Sequence, residues 1–86
     1  MYKIYFTPQA QKDSKKLSGS HLKDKVIDLI EIIRINPYAY PPKYEVLHGK
    51  LEGLISRRIN DKHRLIYDVN EESKVIKIVK MWTHYE

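Results

Sequence analysis

The stretch Ser56-Arg57-Arg58-Ile59-Asn60-Asp61-Lys62-His63-Arg64-Leu65-Ile66-Tyr67 limits the possible folds more than any other part of the chain. Two runs of apolar and arginine residues flank a polar break, the pattern of a β-hairpin. The loop length decides where the arginines point. A two-residue loop at Asp61-Lys62 would set Arg58 opposite Leu65 and send Arg64 to the other face, mixing charge and apolar side chains on both sides of the sheet. A three-residue loop, Asn60-Asp61-Lys62, sorts them. Ile55, Ile59, His63, Leu65, Tyr67 and Val69 then share one face, and Leu54, Ser56, Arg58, Arg64, Ile66 and Asp68 share the other. The first face reads as core and the second as a site. This register sets Arg58 directly across from Arg64, a like-charge pair costing up to roughly 1 kcal/mol. A bound anion would remove that cost.

The chain has 86 residues, 42% of them apolar. That suits one small domain over residues 1–86, which buries only about 60% of the surface its unfolded chain exposes. It has no cysteine, so no disulfide framework, consistent with a reducing compartment. Met1 to Phe6 is too short and polar for a signal peptide, and no apolar run approaches the roughly 18 residues of a membrane span. The expectation is a soluble cytoplasmic protein with no membrane partner. A formal charge of +5, seven tyrosines and one tryptophan suit a partner offering phosphates and stackable bases.

Tyr2 to Phe6 alternates as a short strand. Thr7-Pro8 predicts a helix start, with Thr7 as N-cap and Pro8 at the first helical position. A short, largely exposed helix should follow to Leu17, resting on Ala10 and Leu17. Ser18-Gly19-Ser20 breaks it, and either serine could cap the next. Leu22, Val26, Leu29, Ile30 and Ile33 then fall at helical spacing, predicting the main packing partner of the sheet. Asn36-Pro37 ends that helix. An extended proline loop leads into a strand at Tyr44–Leu47, with Glu45 and Leu47 on one side. Leu54–Ile59 and His63–Val69 form the hairpin, and Lys74–Met81 a last strand. The prediction is an α+β domain, an N-terminal strand and two helices packed on an antiparallel sheet.

The residues that carry chemistry are one strand carboxylate (Glu45), two arginines (Arg58, Arg64) and a terminal His84-Tyr85. That set suits cleavage of RNA through its own 2′-hydroxyl. The reaction needs a base for the hydroxyl, cations for charge on the phosphorane oxygens and an acid for the 5′-oxygen, and it needs no metal or cofactor. Histidines 21, 48, 63 and 84 show no metal-ligand spacing. Glu45 has a plainer reading, a salt bridge to an arginine, and a carboxylate beside two guanidiniums is as well suited to orienting Arg64 as to acting as a base. Arg57 alternates onto the core side and reads as an edge or interface residue, and His63 as a hydrogen-bonded structural group. Tyr38, Tyr40 and Tyr44 either stack on bases or pack the proline loop.

Glu45 with Leu47, Leu51-x-Gly53, Ser56-Arg57-Arg58-Ile59, His63-Arg64-Leu65-Ile66-Tyr67 and the terminal His84-Tyr85 together resemble the YoeB/Txe family of RelE-superfamily toxins. The matching motifs span about the last half of the chain. The resemblance implies a RelE-like, microbial-RNase-like fold and a toxin of a type II toxin-antitoxin system. Such a toxin enters the ribosomal A site, cuts messenger RNA there and inhibits translation. It further implies a cognate YefM/Axe-like antitoxin as partner, and a homodimer or toxin-antitoxin hetero-oligomer. Carried over by residue, Glu45 is the general base, Arg64 and Arg58 the cations, and His84 the general acid with Tyr85 beside it. His48 stands where many members have lysine and would contact phosphate when protonated. Trp82-Thr83 and Glu86 around the terminal pair also depart from the shorter family ending. Two other readings stand beside this one. The same scaffold resembles toxins that bind DNA gyrase and cleave nothing, and the composition also suits a basic RNA-binding module.

Overall fold

The computed structural model describes residues 1–82. Strand β1 (Lys3–Phe6) leads into helices α1 (Pro8–Ser18) and α2 (Lys23–Ile35). Four strands follow, β2 (Tyr44–Val46), β3 (Ile55–Arg58), β4 (Arg64–Asn70) and β5 (Val75–Lys80), in one sheet of order β1-β5-β4-β3-β2. The sheet is mixed rather than antiparallel throughout, because β1 pairs parallel with β5, Lys3 opposite Val75 through Phe6 opposite Ile78. The reversals from β2 to β5 are set by turns legible in the sequence. The direction of β1 is not, because β1 reaches the sheet only through a two-helix crossover.

Local chemistry explains where the elements begin and end. Thr7 Oγ1 accepts the Ala10 N–H at 3.1 Å and donates to the Val79 carbonyl at 2.9 Å, so one hydroxyl caps α1 and ties it to β5. The turn before α2 uses Ser20, whose Oγ accepts the Leu22 N–H. The N-cap of α2 is nevertheless Leu22, which makes no side-chain capping bond. Asn36 leaves the helical region at φ −149°, as expected ahead of Pro37. Between β2 and β3, Gly49 and Gly53 adopt φ of 78° and 85°, a region costly for a residue with a Cβ.

The helices cover one face of the sheet. Ala10, Leu17, Leu22, Val26, Leu29 and Ile33 meet Ile55, Ile59, Leu65, Tyr67, Ile76 and Ile78 in a single buried cluster. These strand residues are the odd positions of the hairpin and the even positions of β5, the period-two pattern of a sheet with one helix-covered face. No helix among the described residues covers the face carrying Glu45, Arg58 and Arg64. Among the described residues no helix is long and apolar enough to cross a membrane.

Candidate functional site

The hairpin register is the one the three-residue loop demands. Ile55 pairs with Tyr67, Ser56 with Ile66, Arg57 with Leu65 and Arg58 with Arg64. The Ile59 N–H donates to the His63 carbonyl at 2.8 Å, closing the loop, and Asn60 Oδ1 accepts the Lys62 and His63 N–H groups. On the other flank of β3, Glu45 pairs with Ser56. One row across the open face is therefore Glu45, Ser56 and Ile66, and the next is Arg58 beside Arg64. A cleft of about 200 Å³ gathers Glu45, Ser56, Arg58 and Arg64 with Pro42, Lys43 and Tyr44. Ile66, next to Ser56 in its row, is fully buried yet stands outside the helix-side cluster. Glu45 and Arg58 are exposed, and Arg64 is half-buried.

Ser56 lies between the carboxylate and the arginines, and its Oγ is buried without a hydrogen-bond partner among the described residues. The cleft thus combines one carboxylate, two guanidiniums and a hydroxyl on a rigid sheet. Such a surface can bind a phosphodiester, neutralise charge developing on it, and move a proton at one flank. Among the described residues no three histidine, cysteine or acidic side chains come together in a way that could hold a metal.

His48 does not join this group. It sits beyond β2 ahead of the Gly49–Leu51 turn, exposed, with Nδ1 3.4 Å from Glu52 Oε2. The strand ends at Val46, so the alternation that would have carried His48 along the sheet stops two residues too soon. His84 and Tyr85 lie outside the described residues.

Arg57 corrects the reading of it as an edge or interface residue. It is on the core side but fully buried, and its guanidinium organises the proline loop. Nε donates to Tyr67 Oη at 2.9 Å, Nη1 to the Pro42 carbonyl at 2.6 Å, and Nη2 to the Pro37 and Ala39 carbonyls at 3.1 and 2.9 Å. Tyr67 Oη in turn donates to the Pro37 carbonyl at 2.7 Å, and the Tyr44 ring lies 4.8 Å from the guanidinium carbon. A loop rich in proline has few N–H groups to pair its own carbonyls, so a five-donor side chain from the neighbouring strand does it. The same residue seats β2, and therefore Glu45, against the arginine-bearing strands. Of the loop tyrosines, Tyr44 is half-buried, whereas Tyr38 and Tyr40 are exposed. Tyr44 lies beside Arg57, Tyr40 meets Tyr44 edge-on at 6.3 Å, and Tyr38 donates to Glu71 at 2.8 Å.

Asp13 also had no site-like signal, being one polar residue in a polar helix. It is 1% exposed, and its Oδ2 accepts the Met81 N–H at 3.0 Å. His63 is stacked on Trp82, with ring centroids 4.0 Å apart and planes at 17°.

Comparison with known proteins gives the family. The pattern of the YoeB-like toxin of bacterial type II toxin-antitoxin system matches residues 6–85. Toxin YoeB of Mycobacterium bovis is 32% identical over 99% of this chain and 100% of its own. The solved YoeB/ParE toxin from Agrobacterium tumefaciens superimposes with a TM-score of 0.88 at 28% identity, covering 96% of this chain and 99% of that one. The YoeB-YefM complex from Staphylococcus aureus gives a TM-score of 0.82 at 35% identity, with 99% of both chains covered. With the fold and a match over nearly its whole length in agreement, the chain belongs to the YoeB family of type II toxin-antitoxin toxins.

Proposed function

We propose that this toxin is a ribosome-dependent endoribonuclease that cuts messenger RNA in the A site and so halts translation. The observation that carries the reading is the shared cleft, where Glu45 stands one strand pairing from Ser56 and one row from the Arg58–Arg64 pair. Setting two guanidiniums opposite each other is unfavourable for folding alone. It becomes favourable when a phosphate sits between them.

In this reading Glu45 takes the proton of the 2′-hydroxyl, and the 2′-oxygen attacks the adjacent phosphorus. Arg58 and Arg64 stabilise the extra negative charge of the phosphorane. The bond from phosphorus to the 5′-oxygen breaks as His84 donates a proton to that oxygen. The products are a 2′,3′-cyclic phosphate and a 5′-hydroxyl, with Glu45 protonated and His84 neutral. The alternative role for Glu45 is to orient Arg64, with which it lines the cleft. Tyr85 contributes substrate contact beside His84. His48 is exposed, and any contact it makes is with nucleic acid outside the cleft.

The toxin is held inactive by a YefM/Axe-like antitoxin, a pairing supported by the Staphylococcus aureus complex. The net charge of +5 and the basic cleft call for acidic or apolar residues on the antitoxin segment that covers them. Primer extension on message bound to programmed ribosomes tests the reading. Wild-type toxin should give cuts within A-site codons, and Arg64→Ala and Glu45→Gln should each reduce their rate by about 10²-fold or more. Intact message alongside DNA breaks would point to a gyrase-directed toxin instead.

A further inference from the structure

The proline loop presents one aromatic ring to solvent beside the cleft. Tyr40 is 69% exposed, whereas Tyr44, which lines the cleft, is half-buried. A single exposed aromatic carries no information by itself, since such residues are common on protein surfaces. Tyr40 differs in how firmly it is held. Arg57 binds the carbonyls of Ala39 and Pro42 and so fixes the backbone on both sides of it. The ring meets Tyr44 in a T-shaped contact, with centroids 6.3 Å apart and planes at 72°. Tyr44 is braced in turn by the Arg57 guanidinium, 4.8 Å from its ring. The contact leaves most of Tyr40 open, at a fixed place on the rim of the cleft.

The charges lead to the same place. In the β2–β3 register Tyr44 stands opposite Arg57, so the preceding residue, Lys43, runs on beside Arg58. Lys43 is exposed and lines the cleft. Lys43, Arg58 and Arg64 thus form one row of cations across two strand spacings, roughly 10 Å. That row ends at the loop carrying Tyr40. Cations that track a backbone, with an aromatic ring beside them to take a base, are the pattern of a site for single-stranded nucleic acid.

We infer that Tyr40 is a base-stacking platform, and Lys43 its phosphate contact, for an unpaired nucleotide of the message next to the scissile bond. The inference rests on the reading of the cleft as the place where RNA is cut. Because Arg57 and Tyr44 set the ring before RNA arrives, little freedom is lost when a base stacks on it. Stacking uses the flat face of a base, so the platform holds the message in register without reading base edges.

The test follows message cleavage on programmed ribosomes at varied toxin concentration. Tyr40→Ala should raise the half-saturating concentration by roughly 5- to 100-fold with the saturated rate unchanged, because stacking on a preset ring acts equally before and during the reaction. Tyr40→Phe and Tyr40→Trp, which keep a ring, should stay near wild type. Tyr40→Leu, apolar but without a π face, should behave as Tyr40→Ala. Tyr40 is mostly in solvent, so both of the weakened variants should keep a cooperative thermal melt, and Tyr40→Leu also keeps bulk against Tyr44. Messages in which the nucleotide on one side of the scissile bond, then on the other, lacks its base identify the partner. One of them should weaken wild-type toxin as much as Tyr40→Ala does, and combining it with Tyr40→Ala should add nothing further. Additive losses with both messages would assign the ring to ribosomal RNA and overturn the inference. So would a wild-type half-saturating concentration in Tyr40→Ala or Tyr40→Leu. Lys43→Ala should lower the log–log salt slope of binding by about 0.7 to 0.9, one contacted phosphate, and an unchanged slope would remove Lys43 from the subsite. If wild-type toxin makes no cuts, or Arg64→Ala cuts at full rate, the nuclease reading falls and the platform with it. If the cuts depend on Arg64 and ignore Tyr40, the nuclease reading survives and the platform alone is overturned.

Discussion

Replacing Arg57 by methionine should destabilise the protein and loosen the strand that carries Glu45. Methionine fills much of the volume of the arginine stem but supplies none of its donors. Four hydrogen bonds are lost, to Tyr67 Oη and to the carbonyls of Pro37, Ala39 and Pro42. The Pro37 carbonyl keeps its bond from Tyr67 Oη, so the Ala39 and Pro42 carbonyls are the two left without a donor. Each orphaned carbonyl costs about 1–3 kcal/mol when buried, and these two are only partly buried, so water recovers some of it. Relief from burying a guanidinium offsets part of the remainder. The net loss is about 2–3 kcal/mol. At about 4–8 °C per kcal/mol for a domain of this size, the Tm should fall by roughly 8–24 °C in a circular-dichroism melt. Hydrogen exchange should also be local, with amides of residues 38–46 exchanging faster than those of β4 and β5. A Tm drop under about 4 °C, or faster exchange spread evenly over the sheet, would refute the view that Arg57 organises the loop and β2.

Other outcomes follow from neighbouring features. Ser56→Ala removes a buried hydroxyl with no partner among the described residues, so denaturant melts should show stability unchanged or raised by up to about 1 kcal/mol; a clear loss would mean that the hydroxyl is paired. At the far end of β4, burial and then the bond to Glu71 push the Tyr38 hydroxyl up to about 12. The fold thus holds that proton more tightly than the unfolded chain, and stability present below pH 10 should decline as pH rises from about 10 to about 12. Tyr38→Phe should shrink that alkaline step in the Tm-against-pH profile, the remainder coming from Tyr67, raised by burial, and Lys74, raised by its bond to Glu71. Hydrogen bonds from Tyr38, then Lys74 and Tyr2, hold the Glu71 carboxyl below its ordinary value. Its contribution is present above about pH 4.5 and lost as pH falls through the lowered value, so Glu71→Gln should flatten the acid limb of the same profile. If the cleft arginines contact phosphates, toxin–ribosome affinity should fall with salt at a log–log slope of about 0.7–0.9 per contact. Arg58→Ala should reduce that slope by about one contact, and an unchanged slope would remove Arg58 from the interface.

The hairpin register, and with it the meeting of Arg58 and Arg64, follows from the sequence alone, because strand periodicity and loop length are local and only one loop length separates apolar from charged positions. The helix start at Thr7-Pro8 and the stop at Asn36-Pro37 are likewise local, fixed by a cap and by the steric demand of proline. The tertiary structure alone decided what depends on partners distant in the chain. The parallel pairing of β1 with β5 joins residues about seventy positions apart across a crossover that carries no directional signal. Arg57 looks like one more basic residue of the hairpin until the proline loop, 15 to 20 residues earlier, presents its carbonyls. Asp13 looks like a solvated helix residue until the Met81 N–H, 68 residues later, arrives beside it. Alternation along a strand tells which face a side chain is on. Whether a polar side chain on that face meets solvent, substrate or a distant backbone group is decided by what the rest of the chain packs against it.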